Sequence, residues 1–259
     1  MKKILSMLLL SQMSSYSFAA VSQKKVDAVK NTATEVVAPT LATQFTKAQV
    51  DTLNEVLSLP EANRVMMAHE KYYSIKDILP FCAFDKKQAM VTRWKCLSLH
   101  VLNKKAESRA EVVKALESPE WFMKNSGLLA MESIDAKAAA TYAEKLIKDK
   151  ALVVRSASLQ ILANHLSFER RELLWNELEK DYNFRNKQSL WIRSEILGVL
   201  SAAPEKVELP KFLKALSDGD KKLHLTSIAA LEKMTSLKLQ DKKLPKRDQW
   251  LAWGKTNLL

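Results

Sequence analysis

Few residues of this chain have the types and spacing that could perform chemistry. The segment 69–73, HEKYY, begins like the zinc-protease motif H-E-x-x-H, but Tyr73 stands where the second histidine ligand would be. The turn 218–220, DGD, lacks the further oxygen ligands and the distal glutamate of a calcium loop. None of the four histidines is spaced to place two imidazoles on one helix face. We therefore expect neither a metal nor a cofactor.

Motifs for covalent and phosphate chemistry are missing as well. The sequence has no G-x-S-x-G, no S-x-x-K with K-T-G, no G-x-x-x-x-G-K and no G-x-G-x-x-G. It has only four glycines, too few to build such loops, and its 29 acidic residues show no spacing that singles out a catalytic pair. We predict a protein that is not an enzyme.

The amino-terminal segment predicts the compartment. Lys2 and Lys3 precede an apolar run at 4–10, and small residues end the segment at Ala19 and Ala20, which is the order typical of a secretory signal peptide. We expect cleavage near Ala19 or Ala20 and a periplasmic or secreted protein. No other apolar run approaches the roughly 20 residues that span a bilayer, so we expect no transmembrane anchor.

The predicted compartment determines how the two cysteines are interpreted. Cys82 and Cys96 are close in the sequence, and a pair in an oxidising compartment tends to be joined. Two buried free thiols at helical positions are the alternative. A redox role is disfavoured because no C-x-x-C motif occurs.

The net charge points to anionic partners. The chain has 41 Lys and Arg against 29 Asp and Glu, a formal charge of +12, of which two charges leave with the leader. Such an excess favours nucleic acid, lipid head groups, acidic polymers or an acidic protein. Export makes nucleic acid the less expected partner. Basic clusters at helix ends also improve solubility and interact well with helix dipoles, so they need no ligand.

An internal repeat predicts the elements that position these residues. Four glycines and seven prolines are too few for a β architecture. A basic or imidazole residue opens a helical segment five times, at a constant interval that is lengthened once, between the third and fourth positions: Arg93, Lys124, Arg155, Arg193 and His224. Residues four and seven positions later are apolar in every segment except at His100. These offsets form one inward-facing stripe on an α-helix.

A further amphipathic segment lies between successive repeats, at 107–116, 136–148, 168–182 and 205–216. One helix pair in each such repeat predicts an all-α, solenoid architecture. The one longer interval is explained by an insertion around 181–188, which lengthens one loop. We divide the chain into a signal peptide (1–20), a lead-in (21–44), an amino-terminal helical cap (45–85) and a repeat domain (86–259).

Stretches 145–165 and 212–234 resemble short bacterial HEAT-type (PBS-lyase-type) repeats, in which an acidic turn precedes an arginine and a second helix. Asp149 with Arg155 matches that pattern, and Asp218 with His224 matches it except that histidine replaces arginine. The W-x-x-W helix of Trp250 and Trp253 resembles the tail after many such repeats. The resemblance covers about 86–258 and implies a right-handed α-solenoid of about five repeats with helical caps, used for scaffolding and binding.

Four residues are candidates for partner binding. Arg185 and Lys187 lie in the insertion, where Trp175, Tyr182, Phe184 and Trp191 surround them, although these aromatic residues could equally be core. Arg155 and Arg193 belong to the repeated basic position, which either pairs with neighbouring turns and carbonyls or forms a basic ladder that binds a partner.

These patterns favour an exported, non-enzymatic protein-binding scaffold of the bacterial cell envelope, with an acidic or envelope-located protein partner. The alternatives are a basic HEAT-like nucleic-acid-binding protein and an envelope enzyme or binder that acts on an anionic polymer. A third alternative is a lyase that acts on a tetrapyrrole-bearing protein, suggested by similarity of the repeats.

Overall fold

The computed structural model describes residues 40–239 and 243–257. This part of the chain is mostly α-helical, which confirms the all-α prediction. The strands in these ranges are a single pair of two residues each, β1 Phe184–Arg185 and β2 Gln188–Ser189. No helix within the described ranges has the length and apolar character needed to cross a membrane. The predicted signal peptide and most of the lead-in lie outside the described residues.

Short helices form the predicted amino-terminal cap and the end of the lead-in: α1 Leu41–Gln44, α2 Lys47–Ser58, α3 Glu61–Glu70, α4 Tyr72–Ile75 and α5 Ile78–Phe84. A capping box starts α2, because Thr46 accepts a hydrogen bond from the Gln49 backbone N–H and the Gln49 side chain accepts one in return. Leu53, Val56 and Leu57 share the buried face of α2, as their spacing predicts.

The remaining helices are α6 Met90–Lys104, α7 Arg109–Leu116, α8 Trp121–Ile134, α9 Ala136–Leu146, α10 Leu152–Asn164, α11 Phe168–Leu178, α12 Trp191–Ala202, α13 Leu209–Ala215, α14 Lys221–Thr235 and α15 Lys246–Asn257. Short 3-10 segments occupy Lys105–Ser108, Asp181–Asn183 and Lys206–Glu208. We call α6, α8, α10, α12 and α14 the row helices, since each starts with a repeated basic position. The helices before them, α5, α7, α9, α11 and α13, are the flanking helices.

The row helices pack against one another in chain order, α6 on α8, α8 on α10, α10 on α12 and α12 on α14. Lys124 at the start of α8 pairs with Asp149 just before α10 at 2.5 Å. Asn164 at the end of α10 donates to Glu132 near the end of α8 at 3.1 Å. Neighbouring row helices are therefore parallel, so the turns that precede them lie at one end of the row.

The predicted inward stripe is buried in all five row helices. The side chains at offset four are at most 7 % exposed: Leu97, Leu128, Leu159, Leu197 and Ile228. Those at offset seven are at most 5 % exposed: His100, Met131, Leu162, Leu200 and Leu231. The flanking helices cover this stripe, each packing on the row helix that follows it. Burial of these side chains is the main favourable contribution to folding.

Two flanking helices end earlier than the amphipathic pattern predicts, α9 at Leu146 and α11 at Leu178. At α11 the cause is visible. Asn183 donates to the carbonyl of Glu177 at 2.6 Å, and Arg193 donates to the carbonyl of Leu178 at 2.8 Å. These side chains bind carbonyls of the last turn of α11 and so stabilise the end of the helix, beyond which the regular intrahelical hydrogen bonds stop.

Covalent and close contacts connect the helices at both ends of the described chain. Cys82 of α5 and Cys96 of α6 form a disulfide, and both residues are fully buried. At the other end α15 packs on α13 and α14, with Trp250 completely buried and Trp253 edge-on to it at 5.3 Å between ring centroids. α15 therefore covers the last row helix and its flanking helix.

Candidate functional site

The repeated basic residues form an internal ladder. Each lies near the start of its row helix. The first four reach the turn before the next row helix, and the last, His224, contacts Asp218 O in the turn before its own helix. Arg93 binds Glu120 through two hydrogen bonds of 2.7 and 2.5 Å. Arg193 binds Asp218 in the same way, with a shortest distance of 2.5 Å. With the Lys124–Asp149 pair, these contacts join successive turns along one end of the row.

The acidic residues of the ladder also organise their own turns. Asp149 accepts a hydrogen bond from the Ala151 N–H at 2.8 Å, and Asp218 accepts one from the Asp220 N–H at 2.7 Å. Burial opposes the charged form of Asp218, but the hydrogen bonds and the charge of Arg193 outweigh it and place the pKa of Asp218 below its usual value. Each carboxylate therefore connects the preceding row helix to the turn in which it lies.

Three arginines satisfy carbonyls at the ends of flanking helices. The Nε–H of Arg93 donates to Ala83 O at 3.1 Å, as that of Arg193 does to Leu178 O. Arg247 repeats this contact at the start of α15, donating to Leu216 O at 2.7 Å. Arg247 is not among the repeated basic positions predicted from the sequence, although a basic residue at a helix start was the relevant signal.

The insertion forms a 3-10 turn followed by a β-hairpin, and both pack on ladder arginines. Arg155 donates to the Asn183 side chain and to Tyr182 O. Arg193 donates to the Ser189 hydroxyl, and its guanidinium lies 4.3 Å from the centre of the Phe184 ring. These contacts hold the base of the hairpin against α10 and α12.

The hairpin presents its cationic residues at the tip. Phe184 pairs with Ser189 and Arg185 with Gln188, and the two connecting residues have positive φ, 51° at Asn186 and 62° at Lys187. Two left-handed residues in a two-residue loop define a type I′ turn, which matches the twist of antiparallel strands. Because Phe184 faces Arg193, its neighbour Arg185 points to the opposite side. Arg185 and Lys187 are both exposed.

The structure thus brings the four candidate residues together but gives them different roles. Arg155 is 3 % exposed and Arg193 is 1 % exposed, and their guanidinium groups contact internal partners. They cannot contact a partner while the chain is folded in this way, so the prediction that they bind one is corrected in favour of pairing with turns and carbonyls. Arg185 and Lys187 remain candidates for binding.

The aromatic residues near the insertion divide between core and surface. Trp175 is 7 % exposed, and its indole N–H donates to Glu208 at 2.7 Å. Tyr182 and Trp191 are 42 % and 44 % exposed. The surface around the hairpin therefore contains two large aromatic side chains beside two cations.

The buried ion pair of Arg171 and Glu208 was not predicted from the sequence. Arg171 and Glu208 are 4 % and 3 % exposed, and the Arg171 Nε–H donates to Glu208 at 2.8 Å. Burial raises the pKa of Glu208, but hydrogen bonds from Arg171, the Glu205 N–H and Trp175 bring it below its usual value. No local pattern separates Arg171 from its half-buried neighbour Arg170, because the partner of Arg171 lies 37 residues away.

The row helices also present an open face, which consists of their less buried side chains at spacings of three and four residues. Gln160, Glu195 and Ala229 are exposed there. Ser156 of α10 donates to Glu195 of α12 at 3.1 Å, and Lys233 of α14 donates to Ala202 O of α12 at 2.6 Å. These contacts show that the open face is continuous from α10 to α14. Partial desolvation raises the pKa of Glu195, although the hydrogen bond from Ser156 opposes that shift.

Metal-ligating side chains do not cluster anywhere in residues 40–239 and 243–257, where no group of three or more His, Cys, Asp or Glu could hold an ion. His69 of the HEKYY segment contacts the Asn103 side chain at 3.4 Å, and His224 contacts Asp218 O at 2.8 Å. These two histidines take part in local polar contacts between elements.

Comparison with protein-family models and with curated proteins finds no match to this chain.

Proposed function

We propose that the chain is an exported, non-enzymatic protein-binding scaffold of the bacterial cell envelope, built as a right-handed α-solenoid of about five HEAT-like helix pairs with helical caps. The observation that carries this proposal is the parallel row of helices. Its repeated charges are paired internally by the ladder, while its open face and the hairpin keep exposed side chains. Such an extended surface is what solenoids use to bind partners.

The ladder supports the solenoid architecture. Each rung joins the repeated basic position of one repeat to the turn that opens the next, as in Arg93 with Glu120 and Arg193 with Asp218. Nearest-neighbour contacts of this kind are the stabilising interactions of repeat proteins. In the repeat that contains the insertion, Asn183 takes the place of the acidic residue and the rung is kept.

Export is supported by the leader pattern and by the disulfide. The Cys82–Cys96 bond fits an oxidising compartment, where such bonds persist. We expect the full chain to be processed near Ala19 or Ala20 and recovered from the periplasm or medium. Fractionation followed by mass measurement of the amino terminus checks this, and an unprocessed cytoplasmic chain would contradict it.

Partner binding is tested by site-specific photo-cross-linking in an envelope fraction of the source bacterium. A photoreactive residue at Gln160 or Ala229 samples the open face, and one at Thr141 or Asn176 samples the exposed side of the flanking helices. We expect discrete cross-linked protein bands from the first two positions. No bands, or equal bands from all four positions, would contradict the scaffold proposal.

A further inference from the structure

We propose that the end of the row formed by the turns before α10, α12 and α14 is a docking surface for an extended acidic polypeptide segment. We call this surface the turn edge and define it by Lys148, Lys150, Arg185, Lys187, Lys221 and Lys222. The inference deepens the proposed scaffold function and depends on it, because it names the binding surface and the chemistry of the partner.

The cations of the turn edge have no internal partner. All six are exposed, and none forms an ion pair or a side-chain hydrogen bond with any residue in the described part of the chain. In three other basic clusters, one cation is paired within the protein. Lys104 pairs with Glu107 at 3.0 Å, Arg170 with Glu144 at 2.7 Å and Lys246 with Glu232 at 3.2 Å. The turn edge thus places six unpaired charges in three successive turns of the row.

The ladder explains why the edge is positive. Asp149 and Asp218 belong to the same turns, but their carboxylates point inward to Lys124 and Arg193. Asp149 lies between Lys148 and Lys150. Its carboxylate pairs with Lys124 in the ladder, while the two neighbouring lysines are exposed. Because Asp149 and Asp218 are engaged in the ladder, the cations beside them in these two turns are left to attract an anionic partner.

Exposed apolar side chains accompany these cations. Trp191 is the first residue of α12, and Leu225, 77 % exposed, is the fifth of α14. Tyr182 lies in the 3-10 turn that precedes the hairpin. Large apolar groups beside Arg and Lys are typical of the residues that dominate protein–protein binding energy.

The repeat geometry predicts the spacing of the ligand's charges. Packed helices lie about 8–10 Å apart, so successive turns of the row repeat at about that distance. A polypeptide in the polyproline II conformation advances about 3.1 Å per residue with three residues per turn, so every third side chain lies on the same face. Acidic side chains at every third residue would therefore match successive turns, and a segment of about seven residues would reach all three.

Acidic groups near the turn edge favour a polypeptide over a uniformly charged surface. Glu195 is four residues after Trp191, on the same side of α12, and Asp181 is exposed at the base of the hairpin. An anionic membrane or a nucleic acid would bring continuous negative charge against these carboxylates. A polypeptide can place a neutral or basic residue opposite each of them.

The test uses the purified protein and a fluorescein-labelled dodecapeptide with Glu at every third position and Leu or Ser between, measured by fluorescence anisotropy. We expect binding that weakens with salt and is lost when every Glu of the peptide is replaced by Gln. R185E/K187E should weaken binding at least tenfold. K137E/K206E, with the same charge change at the opposite end of the row, should leave it within twofold. Circular dichroism melts verify that both variants fold.

Three results would overturn the proposal: no binding of the peptide, equal loss in the two double variants, or tighter binding to phosphatidylglycerol vesicles or to single-stranded DNA than to the peptide. W191A provides an independent check, with an expected loss of about fivefold or more. If the peptide fails while cross-links from Gln160 and Ala229 persist, the docking surface is wrong and the scaffold function stands. If the cross-links also fail, both are wrong.

Discussion

At the residue scale, the charges inside this protein are stabilised by specific partners. Arg171, Arg193 and Glu208 are all at most 4 % exposed, and each forms hydrogen bonds with an ion-pair partner and with the backbone or another side chain. Taking a charge out of water is costly unless its partner and hydrogen bonds are in place. Removing one partner should therefore destabilise the fold far more than breaking an ion pair on the surface.

The Arg171–Glu208 pair gives a direct test. We expect Glu208→Gln to lower the free energy of unfolding by about 3–5 kcal/mol, because the buried Arg171 charge loses its buried carboxylate and keeps only that of Glu205, which is 3.6 Å away and 48 % exposed. Asp51→Asn breaks the Lys47–Asp51 pair on the surface of α2, where the two side chains are 88 % and 58 % exposed. This variant should change the free energy of unfolding little. Urea denaturation of the two variants measures the difference. Equal losses of stability in the two variants would show that burial does not determine the cost of removing an ion-pair partner.

Two glycines provide a second matched pair. A Cβ at Gly127 would lie 2.9 Å from Leu116 Cγ and 3.0 Å from the Leu116 backbone N, while a Cβ at Gly198 would meet nothing within 4 Å. Gly127→Ala should destabilise by about 1–3 kcal/mol through overpacking of α8 against α7. Gly198→Ala in α12 should stabilise by up to about 1 kcal/mol, since Ala is the better helix former. Opposite shifts of the urea midpoints are expected.

At the element scale, side chains from neighbouring helices determine where elements end and how the insertion is shaped. Asn183 shows this best. It is 1 % exposed, accepts from Arg155, donates to Glu177 O, and its carbonyl accepts from Leu190 N at 2.9 Å. One residue thus ends α11, supports the hairpin and continues the ladder.

Asn183→Ala should loosen the hairpin while the helices persist. We expect faster tryptic cleavage after Arg185 and Lys187 in the native protein, because the segment loses its anchor to α10 and α11. Gln188→Ala, on the exposed strand, serves as control and should leave the cleavage rate close to wild type. An unchanged rate in Asn183→Ala would mean that the backbone contacts alone hold the hairpin.

The Cys82–Cys96 disulfide joins α5 to α6 and should stabilise the folded chain. Cross-linking a loop with a sequence separation of 14 is worth about 3 kcal/mol in the chain-entropy description, so Cys82→Ala/Cys96→Ala should lower stability by about that amount. Because both sulfurs are buried, thiols should become available to a labelling reagent only after reduction under unfolding conditions. Reductant should lower the melting temperature of the wild type and not that of the variant.

At the scale of the whole molecule, the buried and ladder carboxylates make stability depend on pH. Burial raises the pKa values of Glu208 and Asp218, but hydrogen bonds from arginines outweigh it, and a hydrogen bond from Arg93 lowers the pKa of Glu120 in the same way. The stability that these groups contribute is present above their unfolded pKa values, near 4, and is lost as the pH falls through the lower folded values. Acid should therefore unfold the protein.

His100 adds a separate dependence at higher pH. Burial lowers its pKa, although Glu111, 3.6 Å away, opposes that shift. Below the unfolded value of 6.5 the unfolded state gains a proton that the folded state resists, so stability falls as the pH drops from about 7 toward 5. His100→Leu, matching the residue at Leu162, should flatten the unfolding free energy across this range and leave the loss below pH 4. An unchanged slope would contradict this assignment.

The sequence by itself determined the all-α class, the periodic stripe that is buried in every row helix and the site of the insertion. These follow from helical periodicity, which is a local property of neighbouring residues. Only the tertiary structure decided which charges are internal. Arg155 and Arg185 have the same side chain, yet Arg155 is buried against Asn183, 28 residues along the chain, while Arg185 faces solvent on a strand. A guanidinium is buried where the fold brings acceptors to it, and contacts over such separations leave no local pattern.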